Sequence, residues 1–170
     1  MNIWLLPDPH LGHDKAIELM GRPHGFEDKI IRHLSNIVCH DDILLCLGDV
    51  SFYNHLYWHH QILMSIEAKA WLVRGNHDKK SISWYLEAGW DFAGDSLSFT
   101  MFGKKLLFTH RPVINADITD DTFDLNIHGH CHNTLHHPVG GDKHRLVYLE
   151  HHYQPISLRA VVEGTYAPPL

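Results

Sequence analysis

Short apolar runs alternate with amphipathic stretches along the first half of the chain. Ile3-Trp4-Leu5-Leu6, Ile43-Leu44-Leu45-Cys46-Leu47 and Ala70-Trp71-Leu72-Val73-Arg74 have the length and content of buried strands. Between the first two, the pattern predicts a weak helix from Asp14 to Met20 with Asp14 as its N-cap, broken by Gly21-Arg22-Pro23-His24-Gly25. From Glu27 onward Ile30, Ile31, Leu34, Ile37 and Val38 recur at helical spacing, predicting an amphipathic helix packed on a sheet. Asn54 is placed to cap a further helix from His55 to about Ile66. Strand, helix, strand, helix, strand argues for an α/β arrangement with right-handed crossovers, and the almost wholly apolar second run for a central, parallel strand.

The second half reads differently. A short helix around Ser83 to Ala88 stops at Gly89, and Leu97 to Phe102, Gly103-Lys104 and Lys105 to Thr109 read as a hairpin. Further strands are expected at Leu125 to His128, Leu146 to Leu149 and Ile156 to Val162, mostly antiparallel. His137-Pro138-Val139-Gly140-Gly141 reads as a loop and Ala167-Pro168-Pro169-Leu170 as a loosely held tail.

The downstream ends of the apolar runs carry unusual chemistry. They lead into Asp8-Pro9-His10, Gly48-Asp49, Gly75-Asn76-His77-Asp78, His110 and Gly129-His130-Cys131-His132. Ligands gather beyond the carboxyl ends of strands in sheet-based folds, so repeated delivery of Asp, Asn and His to those ends points to one shared site. Together Asp8, His10, Asp49, Asn76, His110, His130 and His132 offer enough oxygen and nitrogen donors for two metal ions, with the two oxygens of Asp49 suited to bridging them. The set suits Mn²⁺, Fe, Co²⁺, Ni²⁺ or Zn²⁺ better than Ca²⁺, and Mn²⁺ is the first expectation.

Composition narrows the classes. A chain of 170 residues predicts a single domain, 1–170, able to build a core without disulfides. A net charge of −6 argues against an extended nucleic-acid duplex or an anionic membrane as partner. Three cysteines, Cys39, Cys46 and Cys131, without a Cys-x-x-Cys pair, suit a reducing, cytoplasmic compartment, and no run approaches the roughly 20 apolar residues needed to span a bilayer. The excess of histidine, 18 residues, invites a metal reading, but only those at the strand ends carry it. The adjacent pairs His59-His60, His136-His137 and His151-His152 read as surface residues.

Through these motifs, in this order, the sequence resembles the calcineurin-like metallophosphoesterases, in particular their compact bacterial and bacteriophage members, over nearly its whole length. Gly12-His13, Arg22-Pro23, Asp42 and Pro155-Ile156-Ser157-Leu158 add to the resemblance. It implies a four-layer αββα sandwich with two mixed sheets and two divalent ions above the central strands. Asp8, His10 and His132 would hold one ion, Asn76, His110 and His130 the other, and Asp49 both. A hydroxide bridging the ions would attack phosphorus in line, His77 would protonate the leaving oxygen, and Asp78 would orient the His77 ring. The implied substrate is a small phosphoester or nucleotide, phosphodiesters ahead of phosphomonoesters, and the compact relatives imply a homodimer. Two positions depart from the family pattern: Pro7 stands where Ser or Thr is usual, and Arg111-Pro112 follows His110.

Blander readings stand beside these. His13 and Arg22 are substrate-phosphate contacts or a capping histidine and a solvated arginine; Arg111 is a substrate contact or solvated; Arg74 pairs with a structural carboxylate. Cys131, alternating with His130 and His132, is expected to face away from the metals as a small core residue. Phe52, Tyr53, Tyr57 and Trp58 could stack a nucleobase, with ordinary packing preferred. The competing functions are a non-catalytic scaffold on the same fold, opposed by the retention of His77, and a histidine-rich metal store, opposed by ligands spread singly over strand ends.

Overall fold

The computed structural model describes residues 1–113, 122–132, 142–150 and 152–166. The loop expected at His137 to Gly141, the tail Ala167 to Leu170, and His136, His137 and His151 lie outside these residues.

The three apolar runs of the first half form β1 (Ile3–Leu6), β2 (Ile43–Cys46) and β3 (Lys69–Val73). They pair in parallel, in register Ile3 with Ile43 and Ile43 with Lys69, so their carboxyl ends lie side by side. Period-two alternation then divides their side chains. Leu6, Leu44, Cys46, Ala70 and Leu72 face a helical layer built from α1 (Ala16–Met20), α2 (Phe26–Ile37), α3 (His55–Met64) and α4 (Ile82–Glu87). Ile3, Leu5, Ile43, Leu45, Leu47 and Val73 face the second sheet. The predicted α2 is present with Phe26, Ile30 and Leu34 buried at helical spacing.

The first sheet has the order β4-β3-β2-β1-β9, where β4 (Phe92–Gly94) is a short parallel edge strand and β9 (Ile156–Ser157) runs antiparallel to β1. The second has the order β5-β6-β7-β8, from β5 (Ser96–Met101), β6 (Lys104–Thr109), β7 (Leu125–His128) and β8 (His144–Leu146). Both are mixed sheets, as expected. Leu106, Phe108, Leu125 and Ile127 pack across the interface on the inner face of the first sheet. At the crossing between sheets Arg74 bonds the Asp95 carboxylate through Nε at 2.9 Å, the structural partner expected for it.

Several expectations are corrected. The hairpin β5–β6 is antiparallel, but β6, β7 and β8 run parallel, so the second half is not mostly antiparallel. The strand expected over Ile156 to Val162 is only two residues long and turns into α5 (Leu158–Glu163). Ser157 caps that helix by accepting from Ala160 N, and Leu158, Val161 and Val162 fall on one helical face in the inter-sheet core. The last strand of the second sheet ends at Leu146 rather than beginning there, and β4 was too short to read from pattern. Asp14 and Asn54 do not act as side-chain caps: α1 is preceded by Lys15, and Asn54 has left-handed backbone with no capping bond. With α5 in the inter-sheet core, the outer helical layer of a four-layer sandwich is not seen among the described residues.

Candidate metal centre

Five polar strand ends meet at one edge of the two sheets. β1 delivers Asp8 and His10, β2 Asp49, β3 Asn76 and His77, β6 His110, and β7 His130 and His132. The chain pays for this convergence in backbone strain: Asp8, His10, Asp49, His130 and His132 all have φ between 46° and 65°, the left-handed region that non-glycine residues avoid. Close approach also requires glycine at two points. A Cβ on Gly75 would lie 2.2 Å from Asp49 Oδ1, and one on Gly129 would lie 2.1 Å from Asp8 Oδ2.

Two groups of ligand atoms result, Asp8–His10–His132 and Asp49–His110–His130, each with its atoms within 4.8 Å of one another. Asp49 Oδ2 faces both, at 3.3 Å from His110 Nε2 and 3.8 Å from His10 Nε2. Asn76 Oδ1 lies 2.9 Å from His110 Nε2, which adds it to the second group. His110 Nδ1 donates to Leu47 O at 2.8 Å, so Nε2 is the nitrogen turned to the site. The donors suit divalent cations. Asp8 Oδ1 and His10 Nε2, the ring nitrogen facing Asp8 and Asp49, are buried without a hydrogen-bond partner among the described residues, as expected of atoms meant for a cation.

No family model matches the chain, and no curated protein matches it. Among solved structures, it is similar over 95% of its length to the protein of unknown function AQ665 from Aquifex aeolicus, of which 98% is covered, with 25% identity and a TM-score of 0.75. It is also similar over 86% of its length to a single mutant of Vps29 from Entamoeba histolytica, of which 73% is covered, with 15% identity and a TM-score of 0.50. Vps29 is a member of the calcineurin-like metallophosphoesterase fold. The chain has a Vps29-like fold.

Burial and close opposite charges shift the ionisable groups of the site in different directions. Burial pushes the Asp8 carboxyl up to about 6, against the pull of His110 and His132. Burial would also raise Asp49, but its bond to His110 and that residue's charge hold it down at about 2. His110 shows the reciprocal effect: burial disfavours its charge, yet Asp49 and Asp8 carry it up to about 9. His10 is driven down to about 2 by burial and the Arg22 charge, so its approach to Asp49 is that of a neutral imidazole rather than an ion pair. Burial, His110 and Arg111 likewise lower His130 to about 4.

The remaining sequence candidates separate. His77 lies at the mouth with its side chain 44% exposed, its amide bonded to Asp49 Oδ1 at 2.7 Å and its Nε2 4.0 Å from Asp49 Oδ2. Asp78 is not its orienting group. Asp78 Oδ2 accepts from Asp49 N and Gly75 N, both at 2.7 Å, and Oδ1 from Val50 N at 3.1 Å, so the carboxylate ties the β2 and β3 loops together. What packs on His77 is Phe52, with ring centroids 4.4 Å apart; Phe52 also stacks on His13 at 3.9 Å and lies 5.2 Å from His10. Within the aromatic group after Asp49, Tyr53 and Tyr57 are exposed.

Arg22 is neither solvated nor turned to a substrate: it is buried, bonded to Glu150 and to the carbonyls of Asp8 and Pro9. Arg111 is exposed, and His13 is half-buried beside the site. Cys131 is half-buried and stands outside both ligand groups. The alternation expected around it does not apply, because the flanking histidines have left-handed backbone rather than extended. His59, read as a surface residue, is buried among Trp84, Tyr85 and Trp90. Where Pro7 leaves no side-chain donor for Asp8, the backbone supplies one: His130 N donates to Asp8 Oδ2 at 2.9 Å. Glu150, which bonds His132 Nδ1 at 2.9 Å, escaped the sequence reading. The signal existed, since Glu150 follows the apolar run Leu146-Val147-Tyr148-Leu149 as the other site residues follow theirs.

Proposed function

We propose that the protein is a metal-dependent phosphoester hydrolase acting on phosphodiesters of nucleotide type or similar small size, with phosphomonoesters as poorer substrates. The observation that carries this reading is the pair of adjoining ligand groups, Asp8–His10–His132 and Asp49–His110–His130, with Asp49 Oδ2 turned to both. Two divalent cations, Mn²⁺ first among them, would supply Lewis-acid stabilisation of phosphoryl charge and an acidified water near neutral pH.

The chain's own residues then have separable tasks. Asp49, His110, Asn76 and His130 on one side and Asp8, His10 and His132 on the other would hold the cations, with Asp49 able to serve both. His77 is the general acid: its ring is half-exposed at the mouth, close to Asp49 without being bonded through its side chain there, and free to meet a leaving oxygen. Phe52 fixes the plane of that ring from behind, and Asp78 fixes the loop from which it projects. Arg111, exposed near His130, is available to a substrate phosphate.

Metal-stripped protein refilled with Mn²⁺ is expected to hydrolyse bis-p-nitrophenyl phosphate faster than p-nitrophenyl phosphate, and Asp49→Asn to lose metal-dependent turnover of both. Efficient release of phosphate from monoesters with no diesterase activity would reverse the substrate order. Inertness of the refilled wild type on both esters would remove the hydrolase reading.

A further inference from the structure

Arg22 and Glu150 are 128 residues apart and form a buried ion pair, with side chains 0% and 4% exposed and Arg22 Nη2 2.7 Å from Glu150 Oε1. A pair taken out of water in this way is costly unless further hydrogen bonds use its remaining donors and acceptors. The further bonds of the guanidinium and of Glu150 Oε1 all lead to one ligand group, while the buried Glu150 Oε2 has no partner among the described residues. Arg22 Nη2 also donates to Asp8 O at 2.8 Å and Nη1 donates to Pro9 O, so the guanidinium clasps the backbone between Asp8 and His10. Both flanking residues are left-handed, at φ 46° and 50°, a conformation that needs outside support. Glu150 Oε1 in turn accepts from His132 Nδ1 at 2.9 Å, which leaves Nε2 as the lone-pair nitrogen.

The other ligand group uses different supports. His110 donates to Leu47 O, and the amide of Asp49 donates to Asp78. Among the described residues, neither Arg22 nor Glu150 is hydrogen-bonded to Asp49, His110 or His130.

We propose that Arg22 and Glu150 are a positioning pair dedicated to the Asp8–His10–His132 group, setting its affinity for a divalent cation while leaving that of the Asp49–His110–His130 group unchanged. The inference rests on the metal reading above and assigns it an internal division: one guanidinium reaches Asp8 through its own carbonyl, His10 through the carbonyl of Pro9 before it, and His132 through the Glu150 carboxylate.

The test is Mn²⁺ binding to metal-stripped protein by equilibrium dialysis, with Co²⁺ absorption as a spectroscopic report on ligand geometry. Glu150→Ala strands a buried guanidinium and risks unfolding, so it is paired with the double variant Arg22→Met, Glu150→Leu, which replaces the ion pair with apolar volume. The wild type is expected to bind two equivalents. Both variants are expected to keep one at wild-type affinity and to bind the other about 10- to 100-fold more weakly. In a His130→Ala background the double change should remove the remaining tight equivalent, and in a His132→Ala background it should leave the remaining one and its Co²⁺ spectrum unaltered. Two tight equivalents in the folded double variant, or equal weakening of both, would overturn the proposal while leaving the metal reading intact. A wild type that binds no divalent ion would overturn both.

Discussion

The ring of His77 has Phe52 against it at 4.4 Å, Asp49 Oδ2 4.0 Å from its Nε2, and no side-chain hydrogen bond among the described residues, an arrangement in which ring contact takes a large share in holding the imidazole. Phe52→Leu keeps an apolar contact but loses the flat face. Its expected effect is a fall of about tenfold in turnover of a dinucleotide, whose alkoxide leaving group needs a proton, with little change for p-nitrophenyl esters, whose leaving group does not. Steady-state rates on the two substrate types at equal metal content check this, and equal losses on both would count against His77 as the acid. His59 makes the opposite case, a histidine kept from ionising. It accepts from Trp90 Nε1 at 2.8 Å, and burial, with His55 and His60 nearby, depresses it from 6.5 to about 3. Below 6.5 the unfolded chain takes up a proton that the folded chain refuses, so this residue's contribution to stability is whole above 6.5 and is lost as pH falls toward 3. The slope is at most about 1.4 kcal/mol per pH unit. Urea unfolding of the wild type and His59→Gln at pH 7.5 and 5 should show a smaller acid loss in the variant.

At the scale of elements, the parallel pairing of β1, β2 and β3 sets their carboxyl ends in one row, and hydrogen bonds between loops keep the row in register. His10 N donates to Asp49 O at 3.0 Å and Leu11 N to Val50 O at 2.9 Å, joining the β1 and β2 loops. Asp78 joins the β2 and β3 loops through three amides. Asp78→Asn has one acceptor oxygen where the carboxylate has two, and its amide nitrogen faces other donors. The expected cost is about 1–3 kcal/mol in urea unfolding, together with a fall in metal-dependent turnover as Asp49 loses its fixed place. A variant with wild-type stability would mean that Asp78 is not the tie between these loops. The helix α5 shows how an element escapes local reading. Ile156 to Val162 is apolar enough for a strand, and only the Ser157 cap and the helical spacing of Leu158, Val161 and Val162 against the core separate the two outcomes.

At the scale of the molecule, the candidate centre spans the interface between sheets. Asp8, His10, Asp49 and Asn76 come from strands of the first sheet, and His110, His130 and His132 from strands of the second. A cation bound there cross-links both layers and stabilises the folded state by mass action, by about 2.7 kcal/mol per site at a free concentration 100 times its dissociation constant. Thermal unfolding of the metal-stripped protein should therefore shift upward on adding Mn²⁺ and return with chelator, and the shift should shrink in Asp49→Asn. No helix among the described residues is long and apolar enough to cross a membrane.

Local pattern determined the strands that carry the site, the helix Phe26–Ile37, and the seven polar residues delivered to the strand ends, because period-two and 3.6-residue repeats and their breaking glycines are short-range properties. Tertiary structure alone decided what those residues touch. Arg22 and Glu150 meet across 128 positions and Asp8 and His130 across 122, separations at which no spacing in the sequence announces a partner. The parallel course of β6, β7 and β8, the inward turn of His59 and the reassignment of Asp78 from a ring-orienting group to a loop tie have the same origin. Each was settled by which distant backbone amide or apolar surface lay within reach once the two sheets had packed.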